Sequence, residues 1–219
     1  WDTRLIAEGV EFRYGVLADS DMVRAERPDV VIVATNHSDY SKPSCLDEIG
    51  PYQILEDLGL MKMLPGMTVI NTCDYNQTKA ATLAIADHHG PVYLRFGRPS
   101  VPNFTSEIGV DFVIGKALML TEGTDVTIVA TGHLVWKAIE AGEKLAEMGI
   151  DAEIINIHTI KPLDEKAILA SVKKTGCVVT AEEHNYLGGL GESVARTLST
   201  SHPAPQEFVA TQDTFGESG

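Results

Sequence analysis

Basic residues are scarce in this 219-residue chain: 17 lysines and arginines stand against 31 aspartates and glutamates, a formal net charge of −14. No basic run offsets that total locally, so a nucleic-acid backbone or an anionic membrane surface would be repelled. No apolar stretch reaches the roughly 18–20 residues of a membrane span, and the amino terminus lacks a basic flank followed by an apolar signal core. A cytoplasmic location is the resulting expectation. Cysteine is sparse too. Cys45, Cys73 and Cys177 are odd in number, far apart and without a Cys-x-x-Cys pair or metal-like spacing, so buried, reduced thiols are expected. Short-period repeats and low-complexity tracts are also missing. What remains, with 44% hydrophobic and 22% charged residues, is ordinary for a globular protein of one large or two small domains.

The most legible stretch is Asp125 to His184. An apolar, β-branched run, Asp125–Thr131, ends in Gly132 and passes into a segment where Leu134, Ala138, Ala141, Leu145 and Met148 recur at helical spacing. Gly149 closes that helix and a second apolar run, Ala152–Ile157, follows, which makes a βαβ crossover. The pattern repeats: Pro162 and Asp164 open a helix through Lys174, Gly176 closes it, and Cys177–Ala181 is a third strand. Strands this apolar, without strict alternation, suit a parallel sheet covered by helices on both faces. A helix through Thr200 and a strand Glu207–Ala210, expected as an antiparallel edge, complete a sheet of about five strands.

The first half reads similarly. Leu5–Gly15 and Gly15–Arg27 carry scattered apolar positions without a clean period and are read as a short strand and a helix, while Val30–Val33 make a buried strand, followed by an irregular loop, Asn36–Gly50. Loops at the carboxyl ends of parallel strands are where α/β proteins place ligands, so this loop is the first candidate site. A helix over Gln53–Leu64, a strand over Met67–Asn71, a helix Tyr75–His88 capped by Asp74, and a strand Val92–Phe96 follow. The loop from Gly97 to Glu107 is the best linker, so the chain divides near residue 105: 1–105 and 106–219, two α/β units of βαβ type with mostly parallel sheets. Trp1 without an initiator methionine and the tail at Gly219 suggest a fragment.

The glycines of Leu187–Gly191 invite a phosphate-loop reading that their spacing refuses. There is no Gly-x-Gly-x-x-Gly, no following Lys-Ser/Thr and no acidic residue at ribose distance, so a tight strand-to-helix turn is expected. His88-His89 suit the carboxyl end of a helix dipole. His133 is expected as a helix-cap neighbour or interface residue. His158 and His184 are expected to end adjacent strands, with Glu182 and Glu183 nearby; a metal site there is the lesser reading.

Several motifs in one order resemble a known family. The run Val126-Thr-Ile-Val-Ala-Thr-Gly132, the segment Ile157-His-Thr-Ile-Lys-Pro-Leu-Asp164, the segment Thr180-Ala-Glu-Glu-His-Asn185 with Gly188-Gly-Leu-Gly191, and the end Asp213-Thr-Phe-Gly-Glu-Ser-Gly219 are similar to the carboxyl-terminal domain of transketolases. The similarity is strongest to the two-subunit type. Upstream, Gln53–Met67, Val69-Ile-Asn-Thr-Cys-Asp74 and Gly90-Pro-Val-Tyr-Leu-Arg-Phe-Gly-Arg98 resemble the second half of the family's pyrimidine-binding domain. Residues 1–50 match poorly.

The resemblance implies a transferase that moves a two-carbon ketol unit between sugar phosphates with thiamine diphosphate and a divalent metal, Mg2+ or Ca2+, in pentose-phosphate carbohydrate metabolism. The family's pyrophosphate domain carries a Gly-Asp-Gly signature that this chain lacks. The metal's ligands and half of the site would therefore come from a pyrophosphate-domain subunit or a missing amino-terminal half, in a dimer of such halves. Arg98 falls where the family holds the substrate phosphate, a task suited to a planar, permanently charged fork. Asp47-Glu48 occupies the place of a substrate-binding Glu-Asp pair in reversed order, with Ile49 at the following glycine. Tyr52 stands where a substrate-facing histidine belongs, and His37 resembles the other such histidine in a longer loop. Glu8, in Ile6-Ala7-Glu8-Gly9, imitates the glutamate that activates the aminopyrimidine ring, but the family places that group much further upstream. A beta-type subunit of a 2-oxoacid dehydrogenase, a deoxyxylulose-phosphate synthase relative and a non-catalytic assembly subunit are the alternatives.

Overall fold

Apolar strands joined through helices dictate the architecture of the computed structural model, which describes residues 32–33, 55–97, 100–105 and 112–214. The elements are β1 (Ile32–Val33), α1 (Asp57–Met63), β2 (Thr68–Thr72), α2 (Tyr75–Ala86), β3 (Val92–Phe96), β4 (Leu118–Thr121), β5 (Val126–Ala130), α3 (Leu134–Glu147), β6 (Ala152–Asn156), β7 (Thr159–Lys161), α4 (Glu165–Thr175), β8 (Val178–Asn185), α5 (Leu190–Ser201) and β9 (Gln206–Thr211). Among the described residues they form two sheets, ordered β1-β3-β2-β7 and β4-β6-β5-β8-β9. Both are mostly parallel, as the sequence pattern implies.

The second sheet is buried on both faces because its central strands alternate between two apolar layers. Ile128 and Ala130 of β5 join Val135 and Ala138 of α3 on one side. Val129 joins Ile168 and Val172 of α4 and Leu190, Val194 and Leu198 of α5 on the other. Asp164 starts α4 by accepting from Ala167 N at 3.3 Å, and the cationic Lys173 and Lys174 occupy its last turn.

Three strand expectations change. β9 is parallel to β8, because the chain reaches it through the α5 crossover and returns in the same direction. The antiparallel edge is instead β4, which pairs with β6. To reach β5 from β4 the chain must cross the start of β6. Gly123 makes that crossing, and a Cβ there would overlap the backbone of Ala152 and Glu153. β6 and β8 flank β5 from opposite sides, so His158 and His184 do not end neighbouring strands.

Smaller differences have local causes. The helix expected from Gln53 is α1, Asp57–Met63, among the described residues. α2 ends at Ala86, and His88 Nε2 lies 3.2 Å from Thr68 Oγ1 instead of serving the helix end. The described part of the expected linker, residues 100–105, is tied down. Asp74 caps α2 through Gln77 N at 2.8 Å and also accepts from Phe104 N, Thr105 N and Thr105 Oγ1 at 2.6–2.9 Å. Cys73 is buried, and burial beside Asp74 raises its thiol pKa. Cys177 is only half-buried because it precedes β8, and Cys45 lies outside the described residues.

β7 follows β6 after only Ile157 and His158, yet it belongs to the first sheet, antiparallel to β2. His158 is fully buried. Its ring stacks on Phe112 at 4.2 Å between centroids, Nδ1 lies 2.9 Å from Thr159 Oγ1, and Nε2 has no partner among the described residues. Burial lowers its pKa from 6.5 to about 4. The folded protein therefore binds this proton less readily than the unfolded chain: the stability is fully present above pH 6.5 and is lost as pH falls toward 4. Urea unfolding at pH 7.5 and 4.5 should show a loss of stability roughly 2–3 kcal/mol greater in the native protein than in His158→Gln. Equal losses in both would show that His158 carries no such penalty.

Candidate functional site

The carboxyl ends of β3, β5 and β8 come together through charged side chains. On β3, Tyr93 and Arg95 project from the same face, and both reach Asp57 in the first turn of α1. The Tyr93 hydroxyl donates to Asp57 Oδ2 at 2.7 Å, and Arg95 Nε lies 3.0 Å from the same oxygen. Arg95 Nη2 then donates to the Glu183 carbonyl at 3.1 Å and lies 3.9 Å from its Oε2. Glu183 Oε1 is 3.1 Å from His133 Nε2, at the residue preceding α3. The order Tyr93, Asp57, Arg95, Glu183, His133 thus runs from the first sheet to the second. Its charged members are largely buried, with Arg95 and Asp57 side chains only 11% and 10% exposed.

His133 has a second contact that fixes the end of β3. Its ring lies against Gly97, where a Cβ would overlap Nδ1. Only glycine permits that approach. The sequence expectation of a helix-cap neighbour holds by position, but His133 makes no side-chain cap bond and is spent on Glu183.

Alternation along β8 sends Glu182 and His184 to the opposite face from Glu183. Glu182 accepts from Leu190 N at 2.6 Å and Gly191 N at 2.8 Å, so the amino end of α5 is occupied by the chain's own carboxylate. Burial raises the Glu182 pKa, opposed by those two N–H groups, His184 and Lys62. His184 Nδ1 donates to the Asn185 carbonyl at 2.6 Å, and Nε2 accepts from Gly59 N at 3.3 Å. The glycine-rich turn is therefore a structural strand-to-helix turn. Among the described residues no group of three His, Cys, Asp or Glu side chains could hold a metal ion, and His158 and His184 are not brought together into one.

Every substrate or catalytic residue expected from the sequence lies outside the described residues: Glu8, His37, Asp47, Glu48, Tyr52 and Arg98. The structure brings together a different set, Asp57, Tyr93, Arg95, His133 and Glu183. The available signal was Arg95 itself, because a guanidinium in a buried strand requires a carboxylate partner.

Asp57→Ala should destabilise the protein by on the order of 3 kcal/mol, since it removes the carboxylate oxygen shared by Arg95 Nε and the Tyr93 hydroxyl. Asp57→Ala with Arg95→Met should cost clearly less than the sum of the single changes. Chemical denaturation of the four proteins measures this, and strict additivity would mean that the pair is not coupled.

Comparison with known proteins identifies the family of this fold. Residues 115–219 match the family described as Transketolase, C-terminal domain. The 6-deoxy-6-sulfo-D-fructose transketolase subunit of a Clostridium species is 46% identical over 170 residues, 78% of this chain and 52% of that protein. An apulose-4-phosphate transketolase subunit of Phocaeicola vulgatus is 40% identical over 159 residues, 73% of this chain and 51% of that protein. A solved split gene transketolase, described as an inactive beta4 tetramer, aligns with a TM-score of 0.73 at 38% identity, over 84% of this chain and 57% of that one. The chain spans about half the length of the curated relatives it matches. Residues 115–219 are a transketolase C-terminal domain, and the chain belongs to the transketolase family.

Proposed function

We propose that this chain is part of a split transketolase that transfers a two-carbon ketol unit between sugar phosphates. A pyrophosphate-domain partner would complete the active site. The observation that carries this reading is the similarity, at 46% and 40% identity, to proteins whose names make them transketolase subunits. Those names specify a sulfo-sugar and apulose 4-phosphate respectively, so the family accommodates different acceptor and donor sugars, and the choice here belongs to the loops at the carboxyl ends of the strands.

In this reading thiamine diphosphate, once bound, supplies the nucleophilic carbon that takes up the ketol unit. The described residues contain no set that fits the accompanying Mg2+ or Ca2+, and the partner supplies those ligands. This chain contributes recognition. Arg98, directly after the clamped Gly97, holds the substrate phosphate as a bidentate donor. His37, Asp47, Glu48 and Tyr52 line the sugar side, and Glu8 is the group assigned to the aminopyrimidine. The working assembly is a cytoplasmic dimer of such halves.

The test is purification of the chain from its own cells followed by a thiamine-diphosphate-dependent ketol-transfer assay on the recovered complex. A pyrophosphate-domain partner with activity is expected; a lone assembly that neither binds the cofactor nor transfers ketol units would make the chain a non-catalytic subunit. In the active complex, Arg98→Ala should raise KM for phosphorylated donors by about ten- to a hundredfold, as expected for loss of a charged hydrogen bond. An equal rise for unphosphorylated donors would remove the phosphate role.

A further inference from the structure

A cavity of about 670 Å³ opens between α1 and β7 on one side and α4 and α5 on the other. Lys62, Lys161 and Arg196 all line it, in a protein where acidic residues outnumber basic ones 31 to 17. The two lysines are the informative pair. Lys62 Nζ donates to the Gly189 carbonyl at 2.7 Å and to Ser193 Oγ at 2.6 Å. Lys161 Nζ donates to the carbonyls of Lys62 at 2.9 Å and Leu64 at 2.6 Å. Both ammonium groups thus spend two of their three N–H donors on neutral oxygens, and among the described residues neither forms an ion pair with a carboxylate.

The two carboxylates on the cavity wall are already engaged. Glu165 Oε1 accepts from Arg196 Nη2 at 2.7 Å, and Glu192 Oε2 accepts from Gly188 N at 2.8 Å. Burial lowers the Lys62 pKa; Glu182 and Glu192 oppose that shift, while Arg196 and Lys161 add to it. The like charges are therefore close enough to be felt. Ile160, Pro162, Leu163 and Ala195 supply an apolar wall beside them.

We propose that this cavity binds a phosphate monoester. Lys62, Lys161 and Arg196 against Glu165 and Glu192 leave the lining one positive charge in excess, which favours a group that carries about −1.5 to −2 at neutral pH. One unused N–H on each lysine, together with the spare N–H groups of Arg196, matches its three terminal oxygens. The apolar wall accepts an uncharged body of a few carbons. The cavity exists only in the folded chain, so the ligand should stabilise the fold by linkage. The assignment does not depend on the transferase reading and uses none of its residues.

The experiment is thermal unfolding of the full chain with glycerol 3-phosphate, against glycerol and against sodium chloride at matched ionic strength. A saturable rise in Tm with glycerol 3-phosphate alone is expected. Arg196→Gln and Ala195→Glu, both on the accessible face of α5, should each weaken the apparent affinity about tenfold or more, while circular dichroism confirms retained helix. Arg98→Ala should leave the response intact. The assignment is overturned by the absence of a saturable rise, by an undiminished response in both α5 variants, or by loss of the response in Arg98→Ala, which would place the bound phosphate elsewhere.

Discussion

Two residues, Ile157 and His158, carry the chain from the second sheet into the first, and the rest of the arrangement depends on that short passage. With so little chain available, the ends of β6 and β2 must lie side by side. The contacts confirm this: Asn71 N donates to the His158 carbonyl at 2.9 Å, and Asn156 Nδ2 reaches Cys73 Sγ at 3.2 Å. Asn71 Nδ2 lies 3.3 Å from Thr131 Oγ1, which brings in the end of β5. A junction this deeply buried has to satisfy backbone and side-chain polar groups internally. Its polarity follows from its position, where strands end and their last groups lack sheet partners.

The same passage explains why the charged chain from Tyr93 to His133 can form. Once β7 has fixed the second sheet against the first, the carboxyl ends of β3 and β8 face each other, and Arg95 is presented between Asp57 and Glu183. A buried ionic network is rarely the most stabilising filling for such a space, because desolvation offsets much of the attraction. It is, however, specific. An apolar layer would tolerate small slides of one sheet on the other, whereas the distances around Arg95 and His133 admit one register. The beneficiary is the end of β3 at Gly97, against which the His133 ring is packed. The carboxyl-terminal domain therefore shapes the strand end that leads to Arg98, a part that its motifs alone do not suggest.

How much of this is legible in the sequence varies with the range of the interaction. The βαβ units from Val126 to Thr200 are readable because apolar period, capping by Asp164 and closure at Gly176 all act within a few residues. β4 and β7 are not, since Leu118–Thr121 and Thr159–Lys161 are short and become strands only by pairing with β6 and β2. β9 runs against its expected direction because a position at the sheet edge says nothing of the crossover that α5 imposes. For functional residues the difference is sharper. Arg98 and the residues upstream are proposed from family resemblance alone, while Asp57, Arg95 and Glu183, separated by up to 126 positions along the chain numbering, meet only through the fold.

Two lysines also tie neighbouring elements to one another. Lys62 crosses from α1 to the turn before α5, and Lys161 crosses from β7 back to the end of α1. Each uses a charge where a neutral donor would have sufficed for a hydrogen bond. The backbone carbonyls at the end of α1 give Lys161 a partial electrostatic return, since cations are favoured at helix carboxyl termini. Lys62 has the Gly189 carbonyl and the Ser193 hydroxyl instead, and its burial is opposed only by carboxylates that are themselves occupied. A chain with this acidic excess could readily have placed an aspartate or glutamate in direct contact with either ammonium. That it leaves both facing a shared cavity makes the junction more than a structural weld: the charge that braces the two sheets is also the charge available to an anion arriving from solvent.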